Sequence, residues 1–176
     1  MILYFLRHAN AGQAVADPHK DEKRALDAEG IEQCSVMGRI LGELEIVADA
    51  VISSPLKRAA QTASLVSSEM GFEGKVQLSN ALRPGAEWAE FRALLDNLEA
   101  HEAVLLVGHN PNLSDFLSQI IGGPASETYI DLKKGGLARV EMRRRRGNLQ
   151  WYLTPKLVKA VYSADTTSSR PSTSRK

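Results

Sequence analysis

Leu3-Tyr4-Phe5-Leu6-Arg7-His8-Ala9-Asn10 is an apolar run that stops at a cation followed by an imidazole. Leu3 to Leu6 suit a strand buried on both faces, as in a parallel sheet, and the polar pair then falls at its carboxyl end. Read alone, Arg7 and His8 are two solvated residues after an edge strand. A second run changes that reading, because Val104-Leu105-Leu106-Val107 also ends in a turn with a histidine, Gly108-His109-Asn110-Pro111. Between them, Ala50-Val51-Ile52 leads into Ser53-Ser54-Pro55, which predicts a third strand and then a helix with serine as cap and Pro55 at its first position.

Helical spacing fills the gaps. Asp27 is the expected cap of a helix with Ile31, Val36, Ile40, Leu41 and Leu44 on one face, although Gly30 and Gly38 are poor helix formers. Further helices are expected from Leu56 to Val66, from Trp88 to Leu98 and from Pro111 to Ile121, with a short strand at Lys75–Leu78. Asn10 to Asp27 reads as a long loop. Gly136–Met142 and Leu149–Leu153 form a hairpin around Arg145-Arg146-Gly147-Asn148. This order predicts an α/β fold: three layers, α/β/α, with a mostly parallel central sheet and an antiparallel C-terminal edge hairpin. Residues 1–162 make one domain, and the Ser/Thr-rich residues 163–176 are expected to be a disordered tail.

Composition narrows the function classes. Removing Arg170, Arg175, Lys176 and Asp165 of the tail from 22 basic and 21 acidic residues leaves 19 against 20, so the body is near neutral. A dedicated nucleic-acid binder would carry a basic face, so no nucleic acid is expected as partner. No apolar run approaches a membrane span and no signal-like leader is evident, which predicts a cytoplasmic protein with no membrane partner. Cys34, the single cysteine, sits in a helical pattern and reads as a small buried residue.

Ligands of parallel α/β sheets gather outside the carboxyl ends of the strands. That edge receives Arg7, His8, Ser53, Ser54 and His109, and Arg58 lies about one turn into the helix that follows Pro55. Two arginines, two histidines and a helix N-terminus describe an anion site, and guanidinium geometry favours phosphate. A neutral imidazole held in one tautomer can attack phosphorus, which assigns His8 as nucleophile. Paired histidines also suit a metal, but a third ligand at metal spacing is missing and adjacent arginines would repel a cation, so no metal is expected.

Three segments carry a family resemblance. Leu6-Arg7-His8-Ala9, Ser53-Ser54-Pro55-Leu56-Lys57-Arg58-Ala59-Ala60-Gln61-Thr62-Ala63 and Val107-Gly108-His109-Asn110-Pro111 resemble, in order, the signature segments of the histidine phosphatase (phosphoglycerate mutase-like) superfamily. Roughly residues 1–160 look like its short bacterial branch, the SixA-like phosphohistidine phosphatases. The resemblance implies that His8 is transiently phosphorylated, that Arg7, Arg58 and His109 bind the phosphoryl group, and that no metal or organic cofactor takes part. Members acting on sugar phosphates or phosphoglycerate carry an acid after the second helix and a helical insertion over the pocket. Here that segment reads Asn80-Ala81-Leu82-Arg83-Pro84-Gly85-Ala86-Glu87-Trp88, without an acid at the expected place and without a cap insertion.

The expected activity is therefore hydrolysis of a phosphohistidine on a protein partner, whose imidazole leaves more readily than an alkoxide. The alternatives are a phosphomonoesterase for a small phosphate ester and, in a different class, a non-catalytic phospho-ligand binding module. Asn10, Ser53, Arg83 and Asn110 are further candidate substrate contacts. Ser53 and Ser54 also suit caps, and both asparagines suit turns. Glu87 as a general acid competes with a plain first-turn helix carboxylate. Arg143-Arg144-Arg145-Arg146 reads as a solvated hairpin tip.

Overall fold

The computed structural model describes residues 1–123 and 127–168. In chain order they form β1 (Ile2–Arg7), α1 (Pro18–Glu22), α2 (Ala28–Glu43), β2 (Ala50–Ser53), α3 (Lys57–Glu69), β3 (Gln77–Leu78), a 3-10 turn (Asn80–Leu82), α4 (Trp88–Asp96), β4 (Ala103–Gly108), α5 (Asn112–Gly122), β5 (Leu137–Arg143), β6 (Arg146–Leu153) and α6 (Pro155–Ser168). The six strands make one sheet in the order β3-β2-β4-β1-β5-β6. β1 to β4 are parallel, while β5 and β6 add the antiparallel edge. The expected three-layer α/β/α architecture is the one observed.

Register brings the three polar termini to one edge. Arg7 pairs with Gly108 and Ser53 with Val107, so His8, Ser54 and His109 leave the sheet side by side. Strand alternation then feeds two cores. On one face Leu3, Phe5, Ile52 and Leu106 meet α4 and α5, where the rings of Phe91 and Phe116 stack with centroids 4.5 Å apart. On the other, Tyr4, Leu6, Val51 and Val107 meet Met37 and Leu41 of α2, Ala59, Ala63 and Val66 of α3, and Val158 of α6. Each fully buried aliphatic or aromatic side chain contributes about 1.5–3 kcal/mol.

The two glycines of α2 are explained by contact. A Cβ on Gly30 would lie 2.0 Å from the Asn10 carbonyl oxygen, and one on Gly38 would lie 2.4 Å from Glu69 Cβ. Their absence lets the loop after His8 and helix α3 lie directly against α2. Asp27 caps that helix as expected, accepting from the Gly30 amide at 2.8 Å.

Several boundaries differ from the sequence reading. The loop from Asn10 to Asp27 contains α1, capped by Asp17 through the His19 amide at 3.0 Å. Helix α3 starts at Lys57, after Pro55, because the Ser54 amide is still bonded to the Val107 carbonyl at 2.9 Å and holds the chain extended. β3 is confined to Gln77–Leu78. The hairpin turns at Arg144-Arg145, not Arg145–Asn148; Arg144 takes φ 58°, the sign that a two-residue turn matched to strand twist requires. Residues 163–168 of the expected tail continue α6, a helix opened by Pro155 and anchored by Val158, while 169–176 lie outside the described residues. Among the described residues no helix is long and apolar enough to cross a membrane.

Candidate active site

His8 is fixed by backbone bonds on both sides. Its amide donates to the Gly108 carbonyl at 3.0 Å and its carbonyl accepts from the Gly135 amide at 3.1 Å. The ring Nδ1 lies 2.8 Å from the Ala9 carbonyl. A carbonyl can only accept, so Nδ1 carries the proton and Nε2 presents a lone pair. Only 6% of the residue is exposed. Burial, reinforced by the charges of Arg58, Arg7 and Lys134 and opposed by the Ala9 carbonyl, lowers its pKa to about 3. The imidazole is therefore neutral at ordinary pH.

His109 faces it, the ring centroids 4.9 Å apart and tilted by 52°. Its Nε2 lies 2.9 Å from Ser54 Oγ, which also accepts from the Leu56 amide at 3.3 Å. In the tautomer where the Ser54 hydroxyl donates to Nε2, Nδ1 carries the single ring proton and is the donor. Burial first, then His8 and the charges of Arg58, Arg7 and Arg83, lower the pKa of His109 to about 2.

The two arginines are each held at one nitrogen and open at another. Arg7 donates Nη1 to the Leu132 carbonyl at 2.8 Å. Arg58, 5% exposed, donates Nη1 to the Asp21 carbonyl at 2.9 Å and pairs with the Asp21 carboxylate at 3.1 Å. Among the described residues, the buried side-chain nitrogens without a partner are Arg7 Nε, Arg58 Nε, His109 Nδ1 and His101 Nδ1. Three of these four belong to this one cluster, and buried donors left open beside positive charge are what an oxyanion would satisfy. Among the described residues no group of three or more His, Cys, Asp or Glu is placed to hold a metal ion.

The other candidates have different surroundings. Asn10 donates Nδ2 to Asp27 and Glu29, both at 2.9 Å, and its Oδ1 accepts from Lys134 Nζ at 3.0 Å. Asn110 bonds the Leu132 carbonyl at 3.0 Å and accepts from Ser114 Oγ at 2.9 Å, thereby fixing the carbonyl that holds Arg7. Ser53 Oγ is fully buried and donates to the Ser54 carbonyl at 2.9 Å. Arg83 pairs with Glu22. Glu87 caps α4, its amide donating to Glu90 at 2.8 Å.

Some residues around the cluster have no counterpart in the sequence reading. Asp21 accepts from Arg24 Nε at 2.8 Å and the Val15 amide at 3.1 Å besides holding Arg58; these bonds, led by Arg24, lower its pKa to about 2. No local pattern marks it, since the fold alone brings it to Arg58. Thr62 Oγ1 accepts from the Ala9 amide at 3.1 Å and donates to the Arg58 carbonyl at 2.7 Å, tying the segment after β1 to helix α3. Its four-residue offset from Arg58 on one helix face is a readable signal.

Comparison with known proteins follows the same outline. The profile described as histidine phosphatase superfamily (branch 1) matches residues 3–89. An uncharacterized protein of Picosynechococcus sp. is 33% identical over 140 residues, spanning 78% of this chain and 82% of the relative. Among solved structures, the protein histidine phosphatase SixA complexed with tungstate superposes with a TM-score of 0.79 at 23% identity, covering 89% of this chain and 98% of that one. The alpha-ribazole phosphatase of Shigella flexneri superposes at 0.67 with 19% identity, covering 88% and 97%. The three signature segments, the matched profile and the shared fold agree: this chain belongs to the histidine phosphatase superfamily.

Proposed function

We propose that this protein is a phosphatase that hydrolyses phosphohistidine on a protein through a covalent intermediate on His8. Nε2 of His8 attacks phosphorus, the P–N bond of the substrate breaks, and the substrate imidazole leaves. Water then attacks the phosphoryl group on His8, releasing inorganic phosphate and restoring the neutral ring. Arg7, Arg58 and His109 hold the equatorial oxygens, and Arg83 stands at the rim. The observation that carries this reading is the set of open donors, Arg7 Nε, Arg58 Nε and His109 Nδ1, around an imidazole whose tautomer leaves Nε2 free. That a SixA relative binds tungstate at 98% coverage of its chain is consistent with an oxyanion in this position.

The carboxylates support this choice of leaving group. Asp21 and Glu22 are paired to Arg58 and Arg83, and Glu87 sits in a helix cap. None is free to protonate an alkoxide, whereas an imidazole needs less help. The test compares kcat/KM for a phosphohistidine protein with kcat/KM for aryl and sugar phosphate esters, with His8→Ala as control. Preference for the phosphoprotein is expected; a strong preference for sugar esters assigns the small-molecule phosphomonoesterase activity instead, and turnover of neither assigns a binding module.

A further inference from the structure

A groove of about 560 Å³ opens between the N-terminal half of α2 and the first turn of α6, bounded by Val36, Pro155, Val158, Lys134 and Lys156. It lies at the same pole as His8. Leu137 pairs with both Leu6 and Leu153, so α6 leaves the sheet level with the end of β1. The segment that walls the groove also clamps the nucleophile, because the Gly135 amide donates to the His8 carbonyl at 3.1 Å. Lys134 Nζ, 3.0 Å from Asn10 Oδ1, stands between groove and pocket, near enough for its charge to act on His8.

Charge decides what fits there. Lys133 is paired with Asp131 and Lys159 with Glu32, but Lys134 and Lys156 have no carboxylate partner among the described residues. Glu29, the other acid of the groove, is bonded to the side-chain amides of Asn10 and Gln33. An apolar floor thus lies beside two ammonium groups, Lys134 and Lys156, that lack ion-pair partners among the described residues, against one carboxylate, Glu29, that lacks one too. The rim on the Arg58 side carries Asp17, Asp21 and Glu22 on and before α1, paired in turn with Lys20, Arg58 and Arg83, so that its charges are held in internal ion pairs. A small phosphate ester ends inside the pocket, whereas a polypeptide bearing the phosphoryl group must leave over one rim or the other.

Building on the phosphohistidine reading above, we propose that this groove seats an acidic, apolar-bearing segment of the substrate protein, adjacent in its chain to the phosphorylated histidine. The groove then selects the protein while the pocket selects the phosphoryl group.

Two phosphohistidine peptides of equal length, one flanked by Glu and Leu and one by Lys and Ser, test it. Their anisotropy-measured affinities for His8→Ala protein and their kcat/KM on His8 protein are compared with and without Lys156→Glu. The acidic peptide should bind and turn over roughly tenfold better, and Lys156→Glu should erase most of that preference, the size expected for two or three partly screened ion pairs. Hydrolysis of a simple aryl phosphate should be unchanged by Lys156→Glu, because α6 lies outside the phosphate cage. Equal affinity for the two peptides, or a preference untouched by Lys156→Glu, overturns the groove. A retained binding preference with turnover of neither peptide supports the groove and overturns the phosphohistidine chemistry instead.

Discussion

Asp21 holds Arg58 twice, through its carbonyl at 2.9 Å and its carboxylate at 3.1 Å, and both bonds land on the same guanidinium nitrogen. The grip leaves Nε of Arg58 buried and without a partner. Asp21→Asn keeps an acceptor but removes the charge. Bonds to charged groups are worth about 1.5–3 kcal/mol, so kcat/KM on an aryl phosphate should fall about tenfold or more, with the fold intact by circular dichroism. An unchanged kcat/KM would show that Arg58 is held by the helix alone.

Ser54 is the hydrogen-bond partner of His109 Nε2, and as a donor it places the ring proton on Nδ1. Ser54→Ala removes the 2.9 Å partner of Nε2 and frees the ring to carry its proton there, so Nδ1 loses its role as donor to an oxyanion. The expected result is a rise in the inhibition constant of tungstate by about fivefold to tenfold at a stability cost near 1 kcal/mol. Tungstate inhibition equal to that of the parent protein would remove the serine from the site.

His8→Ala should abolish turnover while leaving a cooperatively folding protein, since β1 keeps its ladder bonds. Rapid quench of the parent protein with labelled substrate should trap an acid-labile phosphoryl group on His8. Turnover without such a label counts against the covalent route.

Acid sensitivity should track the two buried histidines. Their pKa values drop from 6.5 to about 3 for His8 and about 2 for His109, mainly through burial. The unfolded chain therefore binds more protons once pH falls below about 6.5, so stability is full above that pH and is lost as pH falls toward the folded values. Each histidine contributes a slope of at most about 1.4 kcal/mol per pH unit in that window. Urea midpoints from pH 7 to pH 4 should decline less steeply in His109→Asn than in the parent; parallel curves would mean that His109 is not buried neutral.

Gly30→Ala probes the loop after the nucleophile. Its Cβ would have to lie 2.0 Å from the Asn10 carbonyl oxygen, a backbone atom that cannot swing aside. Overpacking of this kind costs about 1–3 kcal/mol, and the displaced loop should also slow turnover; a Gly30→Ala protein with parental stability and rate would show that α2 can shift instead.

Period and punctuation carried most of the fold. The apolar runs at Leu3–Leu6 and Val104–Val107 are continuous because both faces of those strands are covered, and that continuity is visible without coordinates. Arg7, His8, Arg58 and His109 were legible because strand ends and a helix start fix where they emerge. Asp21 and Lys134 were not, since they reach the cluster only through the path of the loop and of the segment before β5. Asn10 and Asn110 looked like contacts for a ligand because asparagine is chemically versatile, yet tertiary geometry engages both amides in internal bonds. The helix α6 is hard to read from sequence because, among its described side chains, Val158 alone is buried and polar neighbours conceal it.

His8 hangs from the sheet's centre by bonds to Gly108 and Gly135, whereas Arg58 is steadied by a five-residue helix exposed at the surface. The holds on His8 and on the Arg58 guanidinium therefore depend on elements of unequal size and burial. Amide exchange around His8 requires the central strands to part, an opening comparable to global unfolding, while α1 can fray alone at far smaller cost. His8 is permanent furniture of the fold; the grip on Arg58 is only as lasting as one turn of helix.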